Sequence, residues 1–324
     1  FEEGYGAIFI ALGAHKSLPL HLRGEDLPGV YPSIHFLKAF NMRGEMLARG
    51  RVGIIGGGNS AVDAARVAIR QPGVESVTIF YRRTRDEMPA FPEEIEAALQ
   101  EGVRLETLVA PIGILSEDGR LSGVECINNE LGEIDQSGRR RPVAVPGTQH
   151  VVPLNTLVVA ISEGSDTDCV AVAGANRLEV DDARKTIRVD RETLTTNRPG
   201  VFAGGDVVTG PNTVVDAIAS GQKAAMMIDL YLRNQLLEQT YEVRRPSVYV
   251  EPAKSNGQGI YQSSRVDLPR LDVDARRQSF REVERTLSLE DALQEARRCL
   301  RCDLEFVNRE EKPEPLQAME DTGS

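Results

Sequence analysis

The alternation of apolar and polar segments over the first hundred residues predicts strands that alternate with helices. Apolar runs at residues 5–12, 52–55 and 77–81 have the length of buried strands. Helices are predicted at residues 61–69, which are rich in small side chains, and at 92–100, where Pro leads and acids follow in the first turn. Strand, helix and strand in this order form a βαβ unit, whose connection is expected to be right-handed.

Beyond residue 102 the pattern predicts a second kind of arrangement. Segments 103–109 and 121–127 alternate apolar and polar residues, as two antiparallel strands would. A buried strand is predicted at 157–161, a short strand at 201–203 and a long helix at 214–232. Together with the βαβ unit, these segments predict an α/β fold.

The C-terminal part of the chain has a different character after about residue 236. Residues 246–275 are polar, rich in Pro and Gly and without a clear period, which predicts an irregular arm. A final helix is predicted to follow Ser288, because Ser288 and Asp291 have the spacing of a capping box. The residues after Phe306 are expected to be disordered.

Composition and charge narrow the class of protein. A length of 324 residues suggests two domains, or one domain inserted in another, and 41% hydrophobic with 27% charged residues is ordinary for a globular protein. No stretch reaches the ~20 apolar residues that span a bilayer, so we expect no membrane association. The net charge of −11 argues against nucleic-acid binding. The compact basic run Arg139, Arg140 and Arg141 is interpreted as a solvated loop.

The cysteines and the first residue bear on the compartment and on completeness. Four cysteines are too few for a disulfide scaffold and suit a reducing, cytoplasmic location. The chain opens on Phe1, with no initiator Met and no cationic-then-apolar signal segment. We therefore interpret the sequence as a fragment that begins inside a larger protein.

A glycine-rich motif follows the strand at 52–55. Its residues are Gly56, Gly57, Gly58, Asn59, Ser60 and Ala61, which fit G-x-G-x-x-A. Gly56 permits a tight turn, Gly58 lets the backbone approach a pyrophosphate, and Ala61 lets the helix pack on the strand. The first helical turn, with Asn59 and Ser60, offers free N–H groups and a partial positive charge to the phosphates. The alternative is a glycine-rich turn that binds nothing.

The end of the next strand indicates which nicotinamide cofactor is bound. NAD sites place an acid there for the ribose 2′-hydroxyl, whereas the 2′-phosphate of NADPH requires cations. Arg82 and Arg83 stand at this point, and no acid occurs before Asp86. Because the guanidinium group matches phosphate geometry, we predict NADPH with Arg82 and Arg83 as its leading contacts. A solvated basic turn is the alternative.

A second ligand motif lies near residue 205. The short strand at 201–203 leads into Gly204, Gly205 and Asp206, and a helix rich in small residues follows Thr213. The glycines let the backbone approach a ligand, and the Asp can accept hydrogen bonds from ribityl hydroxyls. The N-terminus of the helix can stabilise a reduced, anionic flavin. Without a ligand, the segment would be a helix cap on a glycine-rich turn.

These motifs together resemble the glutamate synthase small-subunit family. The matching stretches are residues 4–14, the Gly56 loop with residues 63–66, residues 81–83 with Met88 and Pro89, and residues 202–215. The resemblance implies nested Rossmann-like domains: an NADPH domain at 44–154 inserted in an FAD domain at 1–43 and 155–235, followed by a C-terminal arm at 236–324.

The resemblance also implies a function and roles for particular residues. Hydride would pass from NADPH to FAD, and electrons would leave through iron–sulfur clusters to a partner subunit, such as a large amidotransferase. Asp206 matches the ribityl-binding Asp of the family, and Thr213, Val214 and Val215 match the segment beside the flavin ring. Gly13, near the end of the first matching stretch, is a further expected cofactor contact.

Two departures from the family pattern limit what the resemblance implies. The opening G-x-G-x-x-G of the FAD domain is absent, so this chain would supply only part of a flavin site. Ser162 and Glu163 stand where the family usually carries Gly and Gln. The turn is expected to survive, with a less secure contact to the nicotinamide or the flavin.

The cysteines suggest a metal site near the C-terminus. Cys299 and Cys302 form a C-x-x-C pair and could supply two of the four ligands of an iron–sulfur cluster. Two packed cysteines and a redox disulfide are the alternatives. Cys126 has no cysteine partner nearby, which disfavours a dithiol reductase, and Cys126 and Cys169 are expected in the core.

Three functional classes therefore stay open from the sequence. The first is an NADPH-oxidising flavoprotein component, the second is a nucleotide-binding assembly subunit without chemistry of its own, and the third is a disulfide reductase relative. The histidines have no metal-ligand spacing, and no catalytic residue is assigned, because hydride transfer needs no general base on the protein. Homo-oligomerisation stays open as well.

Overall fold

The computed structural model describes residues 1–135, 138–170, 177–181, 183–238 and 264–298. The chain divides into two compact units, Phe1–Gln239 with Val273–Phe280, and Thr240–Asp272 with Arg281–Ser324. Of the second unit, the described residues are 264–272 and 281–298. The predicted cluster ligands Cys299 and Cys302 and the predicted disordered end lie outside the described residues, as does most of the predicted irregular arm.

The described strands and helices are numbered in chain order. The strands are β1 Ile8–Ile10, β2 Lys16–Ser17, β3 Val30–Pro32, β4 Gly50–Ile55, β5 Val74–Tyr81, β6 Arg104–Thr107, β7 Val109–Glu117, β8 Arg120–Ile134, β9 Arg140–Ala144, β10 His150–Pro153, β11 Thr156–Val159, β12 Glu163–Gly164, β13 Val180–Asp181, β14 Thr186–Ile187 and β15 Val201–Ala203. The helices are α1 Ser33–Arg43, α2 Asn59–Ile69, α3 Pro92–Gln100, α4 Asp206–Thr209, α5 Val214–Leu232, α6 Val273–Gln278 and α7 Leu289–Arg297.

The centre of the first unit is a five-stranded parallel sheet in the order β3-β11-β4-β5-β6. Successive side chains of β4 point to opposite faces, so Ile54 joins the core with α1, α2 and α3, whereas Ile55 joins the core on the other face. Both faces are therefore buried, which explains why β4 and β11 are almost continuously apolar. The predicted α/β pattern with a βαβ unit is confirmed.

An antiparallel sheet of β7, β8, β9 and β10 covers the second face of the parallel sheet. Segment 121–127 lies in β8 and is an antiparallel strand, as predicted. The prediction that 103–109 is an antiparallel strand is wrong for most of that segment, because β6 pairs in parallel with β5. Leu108 has φ 58°, which turns the chain between β6 and β7, and β7 is the antiparallel partner of β8. The basic run at residues 139–141 is also not a loop, since β9 begins at Arg140.

A small parallel sheet of β1 and β15 lies outside the five-stranded sheet. Its inner residues Val201 and Ala203 pack in a third core with Val207 of α4. The strands β2 and β12 pair with each other, so the two chain segments that connect the small sheet with the five-stranded sheet run side by side. The predicted domain ranges stay a prediction. The strands β3 and β11 belong to the five-stranded sheet and α1 packs on it, although all three lie outside the range 44–154 predicted for the NADPH domain.

Local sequence signals locate several helices correctly. The predicted bounds of α3 and α5 are those observed, and Ser288 caps α7 by accepting a hydrogen bond from the Asp291 N–H at 3.1 Å. Three of the described helices, α1, α4 and α6, are not predicted by the pattern. The helix α6 begins within the last three residues of the predicted irregular arm and is held by a 2.7 Å hydrogen bond from Arg70 Nε to the carbonyl of Arg276.

Candidate dinucleotide-binding site

The glycine-rich loop begins where β4 ends, at the carboxyl edge of the parallel sheet. Gly56 has φ +146°, and its N–H donates to the carbonyl of Phe80 on β5 at 3.1 Å. A Cβ at this position would lie 2.1 Å from the backbone oxygen of Ala160, which directly follows β11. The chain can therefore pass between the two neighbouring strands only as glycine. In open α/β sheets, ligands bind at this edge, outside the carboxyl ends of the strands.

The next two glycines serve different purposes. A Cβ at Gly57 would lie 2.4 Å from the ring of Tyr81, so this glycine allows the aromatic side chain to pack beneath the loop. A Cβ at Gly58 would meet only Pro89, at 4.0 Å, so the space above Gly58 is open. Gly58 is also the N-cap of α2, and no side chain caps the helix. The first-turn N–H groups are left to bind an anion.

Residues Asn59, Ser60 and Ala61 form the first turn of α2. Ala61 is fully buried against the sheet, as the motif requires, and Ser60 is half-buried. The side chain of Asn59 accepts a hydrogen bond from the Phe91 N–H at 3.0 Å, and Ala90 donates to the carbonyl of Gly57. The loop is thus joined to the segment that precedes α3 and is held in place before any ligand binds.

The two arginines after β5 have different environments. Arg83 is 3% exposed, and its guanidinium binds Asp135 Oδ2 at 2.6 Å and the carbonyl of Arg140 at 2.7 Å. Arg82 is exposed, and its guanidinium makes no hydrogen bond or ion pair with the part of the chain that the structure describes. Partial burial, together with the charges of Arg83 and Arg139, lowers the pKa of Arg82. Of these two arginines, Arg82 is therefore the one whose side chain is accessible to an incoming anion.

The hairpin of β8 and β9 contributes residues that the sequence motifs do not indicate. Asp135 binds Arg83, and the N–H of Arg140 donates to Glu87 Oε1 at 3.2 Å. These contacts join segments about fifty residues apart, so no local spacing indicates them. The basic run at 139–141 is the one signal that the sequence offers for this hairpin. Because that run is interpreted as a solvated loop, the contacts of the hairpin with Arg83 and Glu87 are not predicted.

The second glycine motif lies between β15 and α5. Gly205 has φ 71° and ψ −155°, a conformation that is accessible essentially to glycine alone, and its N–H donates to Ser220 Oγ at 3.0 Å. A Cβ at Gly204 would lie 2.3 Å from the same oxygen. The two glycines therefore allow α5 to pack closely against the end of β15.

Asp206 and the start of α5 lie on the accessible side of this turn. The carboxylate of Asp206 has no hydrogen-bond partner among the described residues. Thr213 caps α5 by accepting from the Asp216 N–H at 3.2 Å, and Val214 and Val215 are each 75% exposed. The expected contact Gly13, with φ +70°, has no protein atom within 4 Å of a Cβ built on it. These surfaces are open to a ligand, and their contacts with a flavin stay a prediction.

The turn at Ser162 and Glu163 is intact despite its departure from the family pattern. The carbonyl of Ser162 accepts from Leu18 N–H at 3.0 Å, and Glu163 belongs to β12. Its carboxylate accepts a hydrogen bond from the buried Ser33 Oγ at 3.1 Å. Glu163 therefore links the β2–β12 pair to the start of α1.

The described cysteines do not form a redox pair. Cys126 is fully buried, and burial, with the charges of Glu106 and Glu125, raises the pKa of its thiol to about 12. Such a thiol stays protonated and unreactive at neutral pH. Cys169 is exposed, so the expectation that it lies in the core is wrong. Its sulfur is 3.6 Å from the carbonyl of Asp166, in a turn at the surface.

The described residues hold neither a metal cluster nor a membrane helix. No cluster of three or more His, Cys, Asp or Glu side chains that could hold a metal ion occurs in those ranges. Within the same ranges, no helix combines the length and the apolar character needed to cross a membrane.

Comparisons with known proteins bear on the family and the fold. A family model described as pyridine nucleotide-disulphide oxidoreductase matches residues 1–221. The beta subunit of the NADP(+)-dependent formate dehydrogenase of Moorella thermoacetica is 41% identical over 311 residues, which cover 93% of this chain and 43% of that protein. The glutamate synthase (NADPH) small chain of Escherichia coli is 35% identical over 235 residues, which cover 68% of this chain and 49% of that protein.

A solved structure shows the same fold. FprA of Mycobacterium tuberculosis in complex with NADPH matches with a TM-score of 0.58 at 20% identity, over 72% of this chain and 65% of that chain. These comparisons confirm the α/β fold class and the resemblance inferred from the motifs. The chain spans less than half the length of the two relatives.

Proposed function

The chain belongs to the pyridine nucleotide-disulphide oxidoreductase family, whose model covers residues 1–221, and on this premise we propose that it is part of an NADPH-dependent flavoprotein oxidoreductase. It supplies the NADPH site and a portion of the flavin site. One observation carries the proposal: the uncapped N-terminus of α2 and the exposed guanidinium of Arg82 lie at the ends of the adjacent parallel strands β4 and β5.

The residues present fit NADPH. The pyrophosphate would lie over Gly58, where the space is open, and would receive the N–H groups of Asn59 and Ser60. Arg82 would bind the 2′-phosphate through its guanidinium, and Arg83 would support it from its buried ion pair with Asp135. The bound dinucleotide would thus be oriented by backbone groups at one end and by a cation at the other.

The residues near Gly205 fit one part of a flavin site. FAD, when bound, supplies the acceptor for hydride from NADPH. Asp206 would accept hydrogen bonds from ribityl hydroxyls, Gly13 and Gly205 would let the backbone approach, and the first turn of α5 at Thr213, Val214 and Val215 would place its partial positive charge beside the ring. In this proposal, residues 1–43 and 155–235 form the flavin part, with β3, α1 and β11 completing the NADPH-domain sheet.

Electrons would leave the flavin towards iron–sulfur clusters or a partner subunit. Two relatives are named as a subunit and as a small chain, which supports a multi-subunit assembly. A dithiol route is disfavoured, because Cys126 is buried and its thiol has a raised pKa.

Cys299 and Cys302 are proposed as two ligands of one cluster. The test is iron and acid-labile sulfide in the full-length protein, with and without Cys299→Ser and Cys302→Ser. We expect the double variant to lose the iron of one cluster, because a cubane needs four ligands. Unchanged iron and sulfide would contradict the assignment.

The NADPH assignment is tested with Arg82→Gln. We expect the Kd for NADPH to rise about 30-fold or more, because a charge-assisted contact to phosphate is lost, and the Kd for NADH to change less than about threefold. Isothermal titration calorimetry measures both. Arg85→Gln is the matched control, since Arg85 is on the same loop but pairs with Glu96 at the surface. Equal effects of the two variants would contradict the assignment.

A further inference from the structure

The tip of the β8–β9 hairpin lies against the loop that carries Arg82. We define the hairpin tip as Asp135 and residues 138–140. The guanidinium of Arg83 donates to Asp135 Oδ2 at 2.6 Å and to the carbonyl of Arg140 at 2.7 Å, so one buried side chain binds both sides of the hairpin. The ion pair is well shielded, since the side chain of Arg83 is 3% exposed and that of Asp135 28%.

Glu87 makes a second connection between the same two segments. Its Oε1 accepts from the N–H of Arg140 at 3.2 Å, and its Oε2 accepts from Thr84 Oγ1 at 2.9 Å. Its own carbonyl accepts from Tyr81 Oη at 2.8 Å, which anchors Glu87 to the end of β5. The short helical turn Arg85–Glu87 is therefore attached to both the parallel sheet and the hairpin tip.

Arg82 itself is fixed through its backbone. Its carbonyl accepts from Asn129 Nδ2 at 3.2 Å, and Asn129 is a buried residue of β8. Arg83 and Glu87 hold the residues on the C-terminal side. The backbone from which the exposed Arg82 side chain extends is thus held by the hairpin, a part of the chain that the glycine motif does not include.

The hairpin tip also adds positive charge beside Arg82. The carbonyl of Arg139 accepts a hydrogen bond from the Asp135 N–H at 2.7 Å, and the next residue, Arg140, is bound by Arg83 and Glu87, so the backbone of Arg139 is one residue from the contact with the Arg82 loop. Burial and the charge of Arg83 lower the pKa of Arg82, the charge of Arg139 lowers it further, and the carboxylate of Asp135 opposes these effects. A phosphate bound by Arg82 would therefore lie within the field of Arg139 as well. Planar guanidinium groups are well suited to hold a phosphate from two sides.

We propose that the hairpin tip forms a second wall of the 2′-phosphate site. Arg139 is a specificity-determining cation. The Arg83–Asp135 ion pair is a positioning contact: it holds the loop that carries Arg82 and acts on the phosphate through Arg82. This inference rests on the proposed function, because it requires that the chain bind NADPH at the glycine-rich loop.

The test compares adenosine 2′,5′-bisphosphate with 5′-AMP, which differ only in the 2′-phosphate and do not involve the flavin. Calorimetric Kd values are measured for the wild-type chain, Arg139→Gln and Arg141→Gln. Arg141 is the matched control, because it lies on the same hairpin, is exposed and loses the same charge. We expect Arg139→Gln to weaken binding of the bisphosphate about tenfold and that of 5′-AMP less than twofold, and Arg141→Gln to change each less than about twofold.

The positioning role of the Arg83–Asp135 ion pair is tested by a double-mutant cycle. In the wild-type background, Asp135→Asn is expected to weaken binding of the bisphosphate more than binding of 5′-AMP. In the Arg82→Gln background it should not change the ratio of the two Kd values further, because it acts through Arg82. The thermal midpoint of each variant shows whether it is folded. If Asp135→Asn is unfolded, Arg139→Gln decides the proposal alone, since it replaces a side chain that is only half-buried.

The outcomes separate this inference from the proposed function. If the wild-type chain does not prefer the bisphosphate, the proposed function fails. If it does, and Arg82→Gln removes the preference while Arg139→Gln behaves like Arg141→Gln, only the inference is overturned. An Asp135→Asn effect that persists fully in Arg82→Gln would overturn the positioning role.

Discussion

Replacement of Gly56 by Ala is expected to lower the free energy of unfolding by about 3–5 kcal/mol, the sum of backbone strain and overpacking, and to abolish nucleotide binding. The new Cβ would lie 2.1 Å from the backbone oxygen of Ala160, and φ is +146°. Neither group can move without separating β4 from β11 at the edge where the phosphate loop begins. Chemical denaturation of the variant measures the loss.

Gly73→Ala is the matched control. Gly73 also has positive φ, +81°, but no atom lies within 4 Å of the position that a Cβ would take, so only backbone strain of roughly 1–2 kcal/mol is expected. Nucleotide binding should persist in this variant. A loss of stability in Gly56→Ala that does not exceed the loss in Gly73→Ala would contradict the claim that the loop lies too close to the neighbouring strand for a side chain to fit at Gly56.

Replacement of Glu101 by Gln is expected to lower the free energy of unfolding by about 3–5 kcal/mol, as found when a buried ion pair loses one partner. Glu101 is fully buried at the end of α3. It accepts from Arg66 at 3.0 Å and from Arg70 at 2.7 Å, and both arginines lie at the C-terminal end of α2. Without the carboxylate, two largely buried guanidinium groups would lose their shared counter-charge.

The surroundings of Arg70 increase this effect. Burial, with the charges of Arg66 and Arg276, lowers the pKa of Arg70 against the opposing influence of Glu101. Glu96→Gln is the control, since Glu96 pairs with Arg85 at the surface, where solvent screens the pair, and its loss should destabilise the protein far less than the loss of Glu101. Urea denaturation of both variants tests the difference. A similar small loss for Glu101→Gln and Glu96→Gln would show that the buried network does not stabilise the first unit.

Local signals in the sequence are sufficient for the phosphate loop and for several elements. The glycine motif predicts a tight turn at Gly56, and the structure shows why a side chain cannot fit there. The first-turn Pro and acids place α3 at its observed bounds, and Thr213 at the cap accords with the predicted start of α5. These features depend on residues within one or two helical turns of each other, which is the range over which spacing is informative.

Long-range contacts explain what the sequence does not reveal. Arg82 and Arg83 are adjacent and chemically identical, and contacts of Arg83 with Asp135, 52 residues away, and with the carbonyl of Arg140 give them different environments. Likewise, the segment after α3 alternates as an antiparallel strand would, but the left-handed backbone of Leu108 divides it between two sheets. The exposure of Cys169 depends on how a surface turn is placed, which composition does not specify.

Calorimetric titration of the purified chain with NADPH, and then with NADH, tests the central claim most directly. Binding of one NADPH per chain, with NADH at least about tenfold weaker, is the expected result, because only NADPH carries the phosphate that Arg82 is placed to bind. Equal affinity for the two nucleotides would contradict the role of Arg82. The absence of binding by either would contradict a functional site at the Gly56 loop.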